Sequence, residues 1–192
     1  MKKGFSLIEL LVVVAIIGVL AGAGIVGYQG YLDGVRADTA VNAARQIARN
    51  AEQTDIAVSA DLTGAAVECT QNAGATISVA QCFGELASGL NNPYDGNSEL
   101  TAADFAAQGA TLDCTSSTTA ALFVVQAAST PADYCGLTAT EWAATSGTSF
   151  STGAAGKQWA DCDGEFTISV CSGGGGTDSE QVGTSITVNL GN

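Results

Sequence analysis

Carboxylates and cysteines are the side chains here that are numerous enough to suggest chemistry. The chain has 192 residues, with nineteen Asp and Glu, six Cys and no His. The commonest general base and metal ligand is therefore missing. A Ser or Cys nucleophile would have to take its base from Lys, and Lys157 is the only Lys beyond Lys3. Carboxylate pairs abound, but an acidic chain produces them by chance. No catalytic constellation emerges, and the expectation is a protein that is not an enzyme.

Two stretches alternate oxygen ligands as a hard cation would require. They are Asp95, Asn97 and Glu99 in NPYDGNSE, and Asp161, Asp163 and Glu165 in DCDGE. Both suit calcium, although neither follows the full EF-hand spacing of Gly and Glu. Asp-Gly is also ordinary turn chemistry, so both stretches are expected in exposed loops. No other cofactor is suggested. Cys69, Cys82, Cys114, Cys135, Cys162 and Cys171 contain no C-x-x-C spacing, which with the absence of His argues against zinc. Their even number in a polar body reads as disulfides formed in an oxidising compartment.

One carboxylate stands apart. Glu9 sits at the mouth of an apolar run in MKKGFSLIELLVVVAIIGVLAGAGIVGYQG, and from Leu10 to Val26 no charge follows it. The run approaches the roughly 20 residues of a membrane-spanning helix. Lys2 and Lys3 precede it, which places the N-terminus in the cytoplasm and the body across the membrane. A cleaved secretory signal is the plain alternative, with AGAG as its cleavage site. Two features oppose it: the following segment continues the helix without a polar break, and a carboxylate near hydrocarbon is costly unless paired.

The remaining charge is uneven. Arg36, Arg45 and Arg49 complete the basic residues of the first quarter, and beyond them only Lys157 is basic. So acidic a body cannot neutralise phosphates, which argues against direct nucleic-acid binding. From residue 33 to about 58 the pattern is amphipathic. Ala37, Val41, Ala44, Ile47, Ala48, Ala51 and Val58 recur at helical spacing, with charges elsewhere. A face made mainly of Ala admits close approach by a large neighbour, and a β-sheet is the expected one.

KKGFSLIEL resembles the class III signal of type IV pilins and the related pseudopilins. The resemblance implies an inner-membrane, single-pass precursor from which prepilin peptidase removes residues 1–4, cutting between Gly4 and Phe5 and methylating the new amine of Phe5. Residues 5–28 would then be the transmembrane and assembly helix, 29–58 its amphipathic half, and 59–192 an extracytoplasmic head. It also implies that Glu9 pairs with the Phe5 amine of a neighbouring subunit in a helical homopolymer raised by the pilus assembly machinery. The expected product is an extracellular filament serving adhesion, twitching motility or DNA uptake. The alternatives are a type II secretion pseudopilin, or a minor or tip pilin acting as a binding module. One departure is that no Pro precedes Pro93; instead the helix carries Gly18, Gly22, Gly24, Gly27, Gly30 and Gly34. These either let helices pack closely through GxxxG pairs or mark a stretch between Gly18 and Gly27 that melts on assembly, the reading favoured here.

The implied fold is α+β: the pilin fold, a long N-terminal helix packed on a C-terminal antiparallel sheet with disulfide-stapled loops. Strands are expected at 121–127, 157–161, 165–171 and 185–190, with a hairpin turn at Asp163-Gly164. Short helices are expected at 101–107 and 138–144, where Thr101 with Asp104 and Thr138 with Glu141 spell capping boxes. Trp159 and Cys162 followed by a later Cys resemble the family's disulfide-bounded C-terminal loop. Local pairing gives Cys69–Cys82, Cys114–Cys135 and Cys162–Cys171, one of some fifteen connectivities open to six cysteines.

Overall fold

The computed structural model describes residues 7–60, 76–96, 98–108, 111–115, 122–127, 142, 150–151, 164–172 and 179–190. Contacts divide the chain into two compact units, Met1–Asp38 and Thr39–Asn192. The expected strand 157–161, the turn residue Asp163 and all of the helix at 138–144 except Trp142 lie outside the described residues.

Helix α1 runs from Leu7 to Ser59, with Glu9 in its first turn. In the second unit its apolar stripe is buried as the spacing requires: Ala40, Ala44, Ile47, Ala48 and Ala51 share one core with Phe123, Val125, Phe166, Ile168 and Val188. The large partner expected opposite the Ala face is thus a sheet. A short antiparallel pair, β1 (Thr76–Ile77) with β4 (Phe150–Ser151), stands separately from a four-stranded sheet. The larger sheet has the order β2 (Phe105–Gln108), β3 (Phe123–Ala127), β5 (Gly164–Cys171), β6 (Gln181–Leu190).

The β3–β5–β6 part is antiparallel, as expected, while β2 joins β3 in parallel, which makes the sheet mixed. Residues 101–107 were expected as a helix, but the chain turns differently. Thr101 and Asp104 do form the capping box, yet the helix it starts is a single 3-10 turn, Ala102–Asp104, and β2 follows at once. The reason is burial: Phe105, Ala106 and Ala107 are buried on both sides of the sheet, which a surface helix could not achieve.

Helix α2 (Val79–Leu86) was not anticipated, though its signal is legible. Ser78 Oγ accepts from the Gln81 amide and Gln81 Oε1 accepts from the Ser78 amide, a complete capping box. Val79, Cys82, Phe83 and Leu86 then form one buried stripe. Gly84 is where α2 meets the 3-10 turn: a Cβ there would lie 2.6 Å from the Ala102 amide nitrogen. Only a glycine allows that backbone approach.

Few aromatic residues exist, but five of those described are grouped. Phe123 stacks on Phe105 at 5.1 Å, and Phe105 lies 6.2 Å from Phe83. Phe83 meets Phe166 edge-on at 5.5 Å, and Trp142 is 6.4 Å from Phe166. Such contacts add about 0.5–1.5 kcal/mol each beyond area burial. A second contact with α1 comes from β6, whose register shifts opposite Ile168 and Val170. Nearby Gly183 takes φ +69°, and a Cβ on it would lie 3.2 Å from Val41 Cγ2.

The disulfides correct the local pairing. Cys114 is bonded to Cys171, 57 residues away, so neither Cys114–Cys135 nor Cys162–Cys171 forms. The bond holds the 111–115 loop against the sheet face opposite the core, where Cys114, Cys171, Val124 and Leu112 make a second buried cluster. The Cys171 amide donates to the Leu122 carbonyl at 2.8 Å, which brings the end of β5 beside the entry to β3. Cys82 is disulfide-bonded too. Cys69, Cys135 and Cys162 lie outside the described residues.

Candidate assembly helix

Each turn of the first half of α1 adds apolar surface that nothing in the chain covers. Leu7 is 81% exposed and Val26 72%, and the large side chains between them are all at the surface. Helical rise makes the stretch from Leu7 to Val26 about 30 Å long, which matches a bilayer's hydrocarbon core. The helix is long and apolar enough to cross a membrane.

Glu9 is the only charged residue between Leu7 and Leu32. Its position in the first turn sets a carboxylate where the apolar run begins. At alternating steps of four and three residues, Glu9, Val13, Ile16, Leu20, Ala23, Gly27, Gly30 and Gly34 share one stripe. Gly18 and Gly22 lie on another, roughly 150° around at 3.6 residues per turn. A Cβ added at Gly18, Gly22, Gly24, Gly27, Gly30 or Gly34 would meet nothing within 4 Å. In the single chain these glycines therefore serve no internal contact, and α1 is helical through all of them. Gly4 and Phe5 lie outside the described residues.

Three features of the helix were given no role by the sequence reading. Tyr28 and Tyr31, 61% and 67% exposed, follow the apolar run at the place where aromatic residues meet a membrane–water interface. Arg45 and Arg49 are one turn apart and exposed. Asn50 Nδ2 donates to the Leu86 carbonyl at 2.8 Å and so ties α1 to the end of α2.

The cation stretches divide. Asp95 lies in a loop whose turn is held from within: Asn92 Oδ1 accepts from the amides of Tyr94 and Asp95, and Ser98 Oγ donates to Asp95 Oδ2 at 2.7 Å. Glu99 is exposed at the end of that loop. Glu165 lies on β5, opposite Asn189, as the strand expected at 165–171 places it, and not in a cation-binding loop. Asn97, Asp161 and Asp163 are outside the described residues, and among the described residues no three His, Cys, Asp or Glu side chains converge as a metal site would need.

Neither a search of curated proteins nor a search of solved structures finds a match for this chain. One family model does match, over the segment where Glu9, the basic leader and the apolar helix coincide. Residues 1–25 carry the prokaryotic N-terminal methylation motif, the class III signal peptide of type IV pilins and pseudopilins.

Proposed function

We propose that the chain is the major structural subunit of a type IV pilus, polymerising into a helical extracellular filament through its N-terminal helix. The observation that supports this most is the exposed apolar half of α1 with a single carboxylate at its start. So long an apolar surface needs a covering. The inner membrane supplies it before assembly and neighbouring copies of the same helix supply it afterwards.

In this reading prepilin peptidase removes residues 1–4 and methylates Phe5, and the assembly machinery lifts the subunit from the bilayer. Glu9 then pairs with the Phe5 amine of the neighbour. An unpaired carboxylate in an apolar bundle costs several kcal/mol, so the pair favours one axial register over its alternatives. The glycines between Gly18 and Gly27 weaken helical bonding by about 1 kcal/mol each relative to Ala, which makes this stretch the place for local melting in the filament. Adhesion, surface motility or DNA uptake would belong to the filament as a whole.

The test is electron microscopy of sheared filaments with mass spectrometry of their main band. Long surface filaments built from a chain beginning at N-methylated Phe5 are expected. Gly4→Ala should leave an unprocessed membrane precursor. Glu9→Ala should be processed and cross the membrane but yield few filaments; normal yield would remove the pairing argument. A processed chain that makes no surface filament but supports protein secretion would assign it to the pseudopilins instead.

A further inference from the structure

Once Lys2 and Lys3 are removed with the leader, four basic residues face nineteen acidic ones. Two of the four, Arg45 and Arg49, lie one helical turn apart on α1. Between Thr39 and Ile56 the exposed residues include Asn42, Arg45, Gln46, Arg49, Gln53 and Ile56, none of them acidic, with exposed Asp38 one turn before Asn42 and half-buried Glu52 three residues after Arg49. This face points away from the buried stripe of Ala44, Ile47, Ala48 and Ala51. Arg45 Nη1 donates to Asn42 Oδ1 at 2.9 Å, which orients its fork without neutralising it. Among the described residues Arg36 pairs with Asp33, and neither Arg45 nor Arg49 joins an ion pair. Like charges at this spacing repel mildly in an isolated helix, so the arrangement favours an acidic partner.

We infer that the Arg45–Arg49 face of α1 docks on the acidic head of a second copy of this chain. This rests on the filament reading above and names a contact within it. Charge complementarity selects the occupant, because the rest of the same molecule offers mostly carboxylates. The acceptor is the open concavity of about 380 Å³ where Glu85 and Glu99 stand beside polar Gln81, Ser88 and Thr101 and apolar Leu100 and Ala102. A guanidinium can address carboxylates through paired N–H groups, which fixes orientation as well as attraction. Because the two surfaces differ, the contact is head-to-tail, the class that builds an open filament when its rotation does not close a ring.

The test uses the full chain and the yield of sheared filaments. R45E/R49E is expected to lower yield by about tenfold, as for other like-charge contacts placed in an interface. Adding E85R/E99R to that chain should restore most of the loss, whereas E165R/E180R, which restores the same net charge at exposed sites elsewhere, should not. Thermal melting of each detergent-solubilised chain checks that the head remains folded. R45Q/R49Q, which adds no negative charge, should show a smaller loss in the same direction. Wild-type yield from R45E/R49E, or equal rescue by both acid-to-Arg pairs, would overturn the contact while leaving the filament reading intact. Absence of filaments from the wild-type chain would overturn both.

Discussion

Glycine has opposite consequences in the two units of this chain. In Met1–Asp38 the helical glycines have open space where a Cβ would go, whereas in the second unit Gly84 faces the Ala102 backbone at 2.6 Å. The first set is free of internal packing, so whatever constrains it must come from a bilayer or another molecule. Gly84 is constrained by the chain's own fold. The same contrast holds for apolar side chains: the large ones from Leu7 to Tyr31 are exposed, and most of the buried ones in the second unit converge on one core.

The largest effect should come from opening the staple that only the second unit has. Replacing both Cys114 and Cys171 by Ser should cost about 4 kcal/mol by the loop-closure estimate for a bond this distant. Urea melting of the detergent-solubilised chain, followed by Trp fluorescence, measures it. A loss confined to a few tenths would mean that the 111–115 loop is held by other contacts.

Gly84→Ala comes next, at about 3 kcal/mol, because the obstructing atoms are backbone and cannot rotate aside. Gly183→Ala should cost about 1–2 kcal/mol, combining a positive φ with a side-chain neighbour, Val41, that can yield. If Gly84→Ala and Gly183→Ala melted alike, the distinction between backbone and side-chain obstruction would fail. The smallest effect on the head is expected from Gly18→Ala/Gly22→Ala. That variant should leave urea melting within about 0.5 kcal/mol of the original while raising helix content by circular dichroism, since Ala is the better helix former. Its filament yield then tests whether these glycines act in the assembly at all. A loss supports close packing or melting in the assembly, and an unchanged yield removes both.

Charge adds a weaker, reversible handle on the same comparison. In the filament reading the processed chain, with four basic against nineteen acidic residues, carries formal charge −15 and repels its copies, and salt screens that repulsion over roughly 8–10 Å. Filament bundling should therefore increase with added salt or magnesium, as read by pelleting and filament width.

Legibility in the sequence followed the range of the interactions. The strands at Phe123–Ala127 and Gly164–Cys171 were visible because β-branched and aromatic residues cluster there, and the Ala stripe of α1 was visible because its period is local. The capping box of Thr101 and Asp104 was read correctly as chemistry and wrongly as length. What stops that helix is the pairing of Phe105 with Phe123 across the sheet, which no window around residue 105 contains. Helix α2 was overlooked although Ser78 and Gln81 spell its start, because the surrounding Gly, Ser, Thr and Ala dilute its short apolar stripe.

Composition and local spacing alone determined the uncharged run after Glu9, its basic leader and the methylation motif of residues 1–25. These are properties of neighbouring residues meeting an external apolar phase, so they hold before any tertiary contact exists. Which cysteines meet, why β2 runs parallel to β3 and why residue 84 must be Gly were decided only by the tertiary structure. Each depends on backbone brought together from distant parts of the chain, and the partner's position is set by the packing of the whole head rather than by the residues on either side.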